Sequence, residues 1–387
     1  MQASEEYCRP KIIIIRETIG MKTLFALLLL AAMATAGAQE KIVIGQSVEL
    51  SGEATGKENM EGALAYFGWV NAQGGVHGRM IELKSYDDQR KPETTRLNTE
   101  KLLKQDNALA LFGYRSTPTV EAVLPLLQAE KVPLIAPFSG GQSLHQPFNP
   151  YLFNLRASYQ DETAKMVELF SSLAIRKVAI LYQDDSFGRD GLAGFERNLA
   201  AHKLNAVVTA SYDRKDLKID KAVDAIIASN PQAVLMACTP SACADFVKQV
   251  HKKGFHPAFM MLSNVSSDTF FESLGEDGRG VSVMQVMPYP KNFAAGATRE
   301  FQSVLKAMPK PPPSSYSAFE GFVAAKLLTE GLRRAGPNPT RQKLMAALET
   351  MRDFDLGGVR VSYTPNNHDG SKFVEMVMIG KHGAILR

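Results

Sequence analysis

The chain alternates between two hydrophobic rhythms. Short apolar runs read as strands, and between them apolar residues recur every three or four positions, as on the buried face of a helix. Lys41-Ile42-Val43-Ile44-Gly45 opens the series as a strand. Met60, Ala63, Leu64, Phe67 and Val70 then fall at helical spacing, and Gly74-Gly75 ends that helix. Residues 80–86 and 109–113 read as the next strands; a helix with Val120, Val123, Leu124 and Leu127 on one face follows, and residues 132–136 close the set. The pattern then restarts. Residues 163–173, 191–201, 223–228 and the segment around Phe246, Val247 and Val250 predict helices, while 177–182, 206–212, 233–237 and 258–262 predict strands. Repeated strand-then-helix units bury a parallel sheet between layers of helices. Two such series predict an α/β protein of two doubly wound parallel-sheet lobes.

No Gly/Ser-rich or charged linker separates the series, so a multi-strand hinge is expected, with residues 151–156 and 281–287 as the crossing candidates. Lys310-Pro311-Pro312-Pro313 reads as a stiff loop before a helix over 315–334. The N-terminus follows a different logic. Lys22 precedes an apolar run from Leu24 to Ala34, and Ala36-Gly37-Ala38 supplies the small residues a signal peptidase reads. That run is shorter than the roughly 20 apolar residues a membrane span needs. Residues 1–38 are therefore read as an upstream extension and a signal peptide, with Met21-Lys22 as the natural start of the leader. No Cys follows the apolar run to carry a lipid.

Composition adds exclusions. The 387 residues are 45% hydrophobic and 22% charged, an ordinary globular balance, and the formal charge of +4 is spread without a basic block. A nucleic-acid partner is not expected, because it needs a concentrated basic face. Cys238 and Cys243 lie beyond the leader and, in an oxidising compartment, form either a disulfide or two reduced buried thiols.

Several near-motifs fail on chemistry. Gly52 to Glu58 resembles a phosphate-binding loop but has three residues between its glycines, and Glu58 where a magnesium-binding hydroxyl belongs. Gly141-Gln142-Ser143-Leu144-His145 resembles a nucleophile elbow but ends in His where Gly is required. Cys238, Cys243, His251 and His256 suggest zinc only until geometry is applied. Cys243 and His251 would sit about 12 Å apart along one helix, too far to share a metal at about 2 Å. No metal or cofactor is expected.

In open parallel sheets, ligands sit beyond the carboxyl ends of the strands. Gly113-Tyr114-Arg115-Ser116-Thr117-Pro118 follows a strand directly, with Thr117 as a good N-cap and Pro118 as a good first helical residue. Its hydroxyls and open backbone N–H groups can hold an anion; the plainer reading is that Thr117 only caps its helix. Pro137-Phe138-Ser139-Gly140-Gly141 follows the next strand. Its glycines open backbone N–H groups, and Phe138 can wall a pocket, or the segment is a plain turn.

Ile42 to Gly45 with Ser51-Gly52, the stretch Asn71-Ala72-Gln73-Gly74-Gly75-Val76-His77-Gly78-Arg79, Tyr86-Asp87-Asp88, Asp184-Asp185-Ser186-Phe187-Gly188 and the two turns just named form a specific set. Together they resemble the leucine/isoleucine/valine-binding protein family, the periplasmic receptors of branched-chain amino-acid ABC importers, over residues 39–387. The resemblance implies a type I binding-protein fold: lobe 1 from 39–156 and 288–367, lobe 2 from 157–287 and 368–387, with a late strand after Ser371. It implies that Ser116, Thr117 and Phe138, Ser139 and Gly140 hold a ligand carboxylate, with Tyr114 and Arg115 in the same turn, and that Phe187 closes the pocket from lobe 2. Thr239 and Asn264 stand near the places where the family supplies an aromatic hydroxyl and an acid for the ligand ammonium, and both of those groups are missing here. Arg115 stands where the family's amino-acid receptors often carry a disulfide cysteine.

The expected protein is a monomeric periplasmic receptor that closes on a small carboxylate or amino-acid-like solute and delivers it to an inner-membrane ABC permease, without catalysis. The alternatives are a ligand-sensing receptor with no transport role, or an enzyme with an unrecognised site. A buried ammonium needs a paired acid; with Ser263 and Asn264 neutral, acids lacking an α-amino group are favoured unless Asp184, Asp185 or Glu320 substitutes. The leader makes its own prediction: N-terminal sequencing of the exported protein should begin at Gln39, whereas an uncleaved product beginning at Met1 would contradict it.

Overall fold

A computed structural model describes residues 41–381 and 384–386; the expected leader and its cleavage point after Ala38 lie outside the described residues. The first series builds β1 (Ile42–Val48), α1 (Ala54–Ala72), β2 (Ile81–Asp87), α2 (Pro92–Lys104), β3 (Ala110–Phe112), α3 (Thr117–Glu121), α4 (Leu124–Glu130), β4 (Leu134–Ile135) and β5 (Leu152–Phe153). All pairs are parallel, in the order β2-β1-β3-β4-β5, so Ile44 sits between Leu83 on one side and Ala110 on the other. Two details differ from the hydrophobic pattern. The single helix expected across Val120 to Leu127 is broken into α3 and α4, because Pro125 lacks an N–H and occupies the first turn of a new helix. Helix α2 has no apolar period to betray it, since half of its buried residues are Thr95 and Thr99.

The second series builds α5 (Tyr159–Ser172), β6 (Val178–Gln183), α6 (Ser186–Ala201), β7 (Ala206–Tyr212), α7 (Asp220–Ala228), β8 (Ala233–Ala237), α8 (Pro240–Lys252), β9 (Ala258–Met261), α9 (Asp268–Leu274) and β10 (Ser282–Gln285). Helix α5 begins on a reciprocal cap, in which Ser158 and Asp161 each accept the other's backbone N–H. Strand β8 is buried along its whole length, as a parallel strand covered on both faces must be. Strand β7 alternates buried and exposed positions as the sheet edge.

The chain then returns to the first sheet with α10 (Gly296–Ala307), α11 (Tyr316–Ala335), α12 (Arg341–Leu348) and the hairpin β11 (Phe354–Asp355) and β12 (Arg360–Val361). It ends in β13 (Glu375–Ile379) and β14 (Ile385–Leu386), which extend the second sheet antiparallel to β10, in the order β14-β13-β10-β9-β8-β6-β7. Three passages therefore join the lobes: after β5, after β10 and before β13. The last lies beyond residue 368, because Asp369 still bridges to Asn154 and Ser371 donates its N–H to Leu155 O.

Helix α11 is held to the first lobe by a close crossing with α1. The Tyr66 and Phe322 rings meet edge-on at 4.9 Å. A Cβ on Gly321 would stand 1.8 Å from Asn59 O, and one on Gly62 would stand 1.8 Å from Ala318 O. Replacing Gly321 by Ala should therefore lower the unfolding free energy by about 3 kcal/mol, read as a lower urea midpoint. An unchanged midpoint would mean that the two helices can separate without cost.

Candidate functional site: the cleft between the lobes

Parallel pairing sends every strand-to-helix connection to one edge of each sheet, and here those edges face each other. Along the first sheet, Arg90 follows β2, Glu49 follows β1, Arg115 and Ser116 follow β3, Phe138 follows β4 and Tyr159 opens α5 after β5. From the second sheet come Gln183 at the end of β6, Phe187 in α6, Thr239 before α8 and Asn264 beyond β9. Together Arg90, Arg115, Ser116, Phe138, Tyr159, Gln183, Phe187, Thr239 and Asn264 line a narrow cavity of about 20 Å³, partly open to solvent.

Six of the residues singled out in the sequence thus meet: Arg115, Ser116, Phe138, Phe187, Thr239 and Asn264. Ser139 and Gly140 lie directly behind them. Ser139 Oγ is 2.8 Å from Thr117 Oγ1, and Gly140 O accepts the N–H of Tyr159 at 2.7 Å, in a space too tight for a Cβ. Two expectations are corrected. Tyr114 is turned away from the cleft; its side chain packs in the core of the first lobe, and its hydroxyl pairs with Thr99 Oγ1 at 2.9 Å. Thr117 is not an N-cap but the first residue of α3, its hydroxyl committed to Ser139. The cap position belongs to Ser116, whose φ of 82° and ψ of 135° leave its side chain capping nothing. A non-glycine residue in that region is strained, and the strain points the Ser116 turn at the cavity. Arg90, Tyr159 and Gln183 escaped the sequence reading. The strand-end rule marks Arg90 and Gln183, but Tyr159 is concealed inside a helix.

Charge in the cleft is densely paired. Arg115 Nη1 donates to Glu49 Oε2 at 2.5 Å, and Arg90 Nε lies 3.8 Å from the same oxygen. Burial holds the Arg115 guanidinium below its ordinary range; Glu49 opposes the shift and Arg90 adds to it. Across the cleft, Arg214 pairs with Asp185 at 3.2 Å and donates to the backbone carbonyl of Arg90. The lobes are also tied where Glu53 accepts the N–H of Ser241 at 3.2 Å and its hydroxyl at 2.7 Å, and where Gln142 N–H meets Asp190 at 3.1 Å.

At the hinge end, Arg156 is buried beneath the pocket, with its guanidinium 5.1 Å from the centre of the Phe138 ring. It bonds to Ser263 and stands 3.6 Å from both Glu162 and Glu320. Glu162 in turn accepts the backbone N–H and the hydroxyl of Ser263, each at 2.8 Å. Of the other acids considered from sequence, Asp184 pairs with Arg189, Asp185 with Arg214, and Glu320 with Arg156. Cys238 and Cys243 are joined as a disulfide beside Thr239, with Cα atoms 5.6 Å apart, and His251 pairs with Asp277 at 2.9 Å.

Burial pushes Glu320 up from 4.5 to about 7, with Arg156 opposing. Between those values the folded chain keeps a proton that the unfolded chain has released, so stability falls as pH rises from about 4.5 to about 7. Glu320→Gln should remove up to about 3 kcal/mol of that fall, measured by urea unfolding across the window. Glu58, also pushed to about 7 by burial, keeps a residual slope in the variant. A slope unchanged in the variant would contradict the assignment.

A family model described as periplasmic binding protein matches residues 41–384. The Leu/Ile/Val-binding protein homolog 8 of Brucella suis biovar 1 is 23% identical over 359 residues, covering 88% of each chain. A substrate-binding periplasmic protein from Ralstonia solanacearum, solved as a crystal structure, is 34% identical with a TM-score of 0.84, over 89% of this chain and 99% of that one. A branched-chain amino acid ABC transporter protein from Thermus thermophilus with bound valine shares the fold at 18% identity, with a TM-score of 0.82 over 90% of this chain and 95% of that one. Two facing parallel sheets, three passages between them and a cavity at their strand ends thus go with a match along nearly the whole described chain: it belongs to the periplasmic binding protein family, in the group built like the leucine/isoleucine/valine-binding proteins.

Proposed function

We propose that this protein captures a small carboxylate solute between its lobes in the periplasm and delivers it unchanged, as a monomer, to an ABC permease of the inner membrane. One observation carries the choice of solute: the cavity is rich in guanidinium groups and hydroxyls, and the nearby acids already hold cations of the protein itself. An α-amino acid brings an ammonium group, and a buried ammonium without an acid costs several kcal/mol. Glu162 and Glu320 each stand 3.6 Å from Arg156. Arg156 answers one carboxylate charge, burial pushes Glu320 up to about 7, and a ligand ammonium would compete with Arg156 for what remains. A carboxylate has no such competitor.

In this reading the Ser116 turn and the Ser139–Gly140 turn receive the carboxylate, with backbone N–H groups and hydroxyls as donors. Phe138, Tyr159 and Phe187 wall the remainder of the solute. Closure desolvates it between the two sheets, and the solute shifts the lobes toward the closed state by its better contacts there. The names of the relatives point to leucine, isoleucine and valine; the arginines in this cleft point to solutes with more negative charge.

Calorimetry tests the reading. Simple aliphatic or aromatic carboxylates should bind, leucine should give no heat, and Ser116→Ala should weaken carboxylate binding about tenfold, the worth of one hydrogen bond to a charged group. Tight leucine binding with no response to carboxylates would overturn it.

A further inference from the structure

The cleft has a long axis, and its two ends are chemically different. Strand order places Arg90, Glu49 and Arg115 side by side at the β2-β1-β3 edge, and Phe138 and Tyr159 toward β4 and β5. Strands lie about 4.8 Å apart, so the ends of β2 and β3, with β1 between them, are separated by about 10 Å. The carboxylate-receiving turns follow β3 and β4, whereas Arg90 stands at the β2 end, where Arg214 of the facing sheet closes onto its backbone carbonyl.

At this end three arginines meet three carboxylates, and the pairing among them leaves Arg90 the least satisfied. Arg115 and Arg90 share a single carboxylate, Glu49, and Arg115 holds it at 2.5 Å while Arg90 stands 3.8 Å away. Asp185 is taken by Arg214. Glu53, the remaining acid near Arg115, is committed across the cleft to Ser241. Arg90 lines the cavity, and its Nε is buried without a hydrogen-bond partner. Burial, and the positive charge of Arg90 after it, hold Arg214 below its ordinary range, with Asp185 opposing.

We propose that Arg90, with Arg115 and Arg214 beside it, forms a second anion subsite, and that the solute is a short-chain dicarboxylate. One carboxylate lies on the Ser116 and Ser139 turns and the other at the β2 edge. This rests on the carboxylate reading above and extends it. Part of the 10 Å estimate is spanned by the arginine side chain itself, and the remainder matches the spacing of two carboxylates on a chain of about four to six carbons. The distal carboxylate supplies the partner that Arg90 Nε lacks, and by binding where Arg214 meets Arg90 it rewards closure of the lobes.

The test is calorimetry on the mature protein with diacids and monoacids of matched length: succinate against butyrate, adipate against hexanoate. The monomethyl ester of the better diacid serves as a probe that needs no variant. The parent should bind one diacid about 30-fold more tightly than its matched monoacid, the scale of an added charge-assisted hydrogen bond. The monomethyl ester should bind like the monoacid. Arg90→Gln, confirmed folded by its melting temperature, should abolish the diacid preference, so that the variant binds the diacid no more tightly than its matched monoacid. Equal losses for both acids in Arg90→Gln would place the only carboxylate on Arg90 and overturn the second subsite while sparing the carboxylate reading. A parent that prefers monoacids or the ester would do the same. A parent that binds neither class would overturn both.

Discussion

Arg156 leaves the end of β5 with 1% of its surface exposed, and a buried cation must be answered by anions within the protein. Its answers come from both sides of the hinge. Glu320 arrives from α11, a helix of the first lobe, and Glu162 from the first turn of α5 in the second. Ser263, at the end of β9, completes the set by bonding to both Arg156 and Glu162. One guanidinium therefore fixes where two lobes and one connecting segment meet, directly beneath Phe138 and Tyr159. The pocket floor and the hinge are the same structure, so whatever binds above it is coupled to the angle between the lobes.

The other end of the cleft solves the same electrostatic problem differently. Arg115 and Arg90 divide one carboxylate, and Arg214 brings its own from the opposite lobe. The hinge end sets two acids, one of them Glu320 pushed up to about 7 by burial, around one cation, while at the β2 end Arg90 and Arg115 share Glu49. Polar latches such as Glu53 to Ser241 add direction rather than strength, because they lie near solvent, where such contacts contribute little.

The architecture was largely legible in the sequence because it rests on local signals. Strands such as β6 and β8 are apolar end to end, since parallel sheets covered on both faces leave no polar side. Where local signals fail, the reasons are specific. Helix α2 hides behind buried Thr95 and Thr99, whose hydroxyls find partners within the helix and its neighbours. The Tyr114 turn was located correctly but its direction was not. Gly113 and Ser116 both take positive φ, and the reversal between them sends Tyr114 inward while Arg115 and Ser116 reach the cleft.

Hydrophobic period, capping residues and glycine-bearing turns thus determined, from the sequence alone, that there are two doubly wound units and where their strand-end turns fall, because each is read within one or two turns of chain. Which charges meet was decided only by the tertiary structure. Arg90 and Arg115 share Glu49 because the sheet order β2-β1-β3 differs from the chain order, and Arg156 finds Ser263 across 107 positions. Ionic partners are chosen by distance in space, and a sequence read along its length carries no measure of that distance.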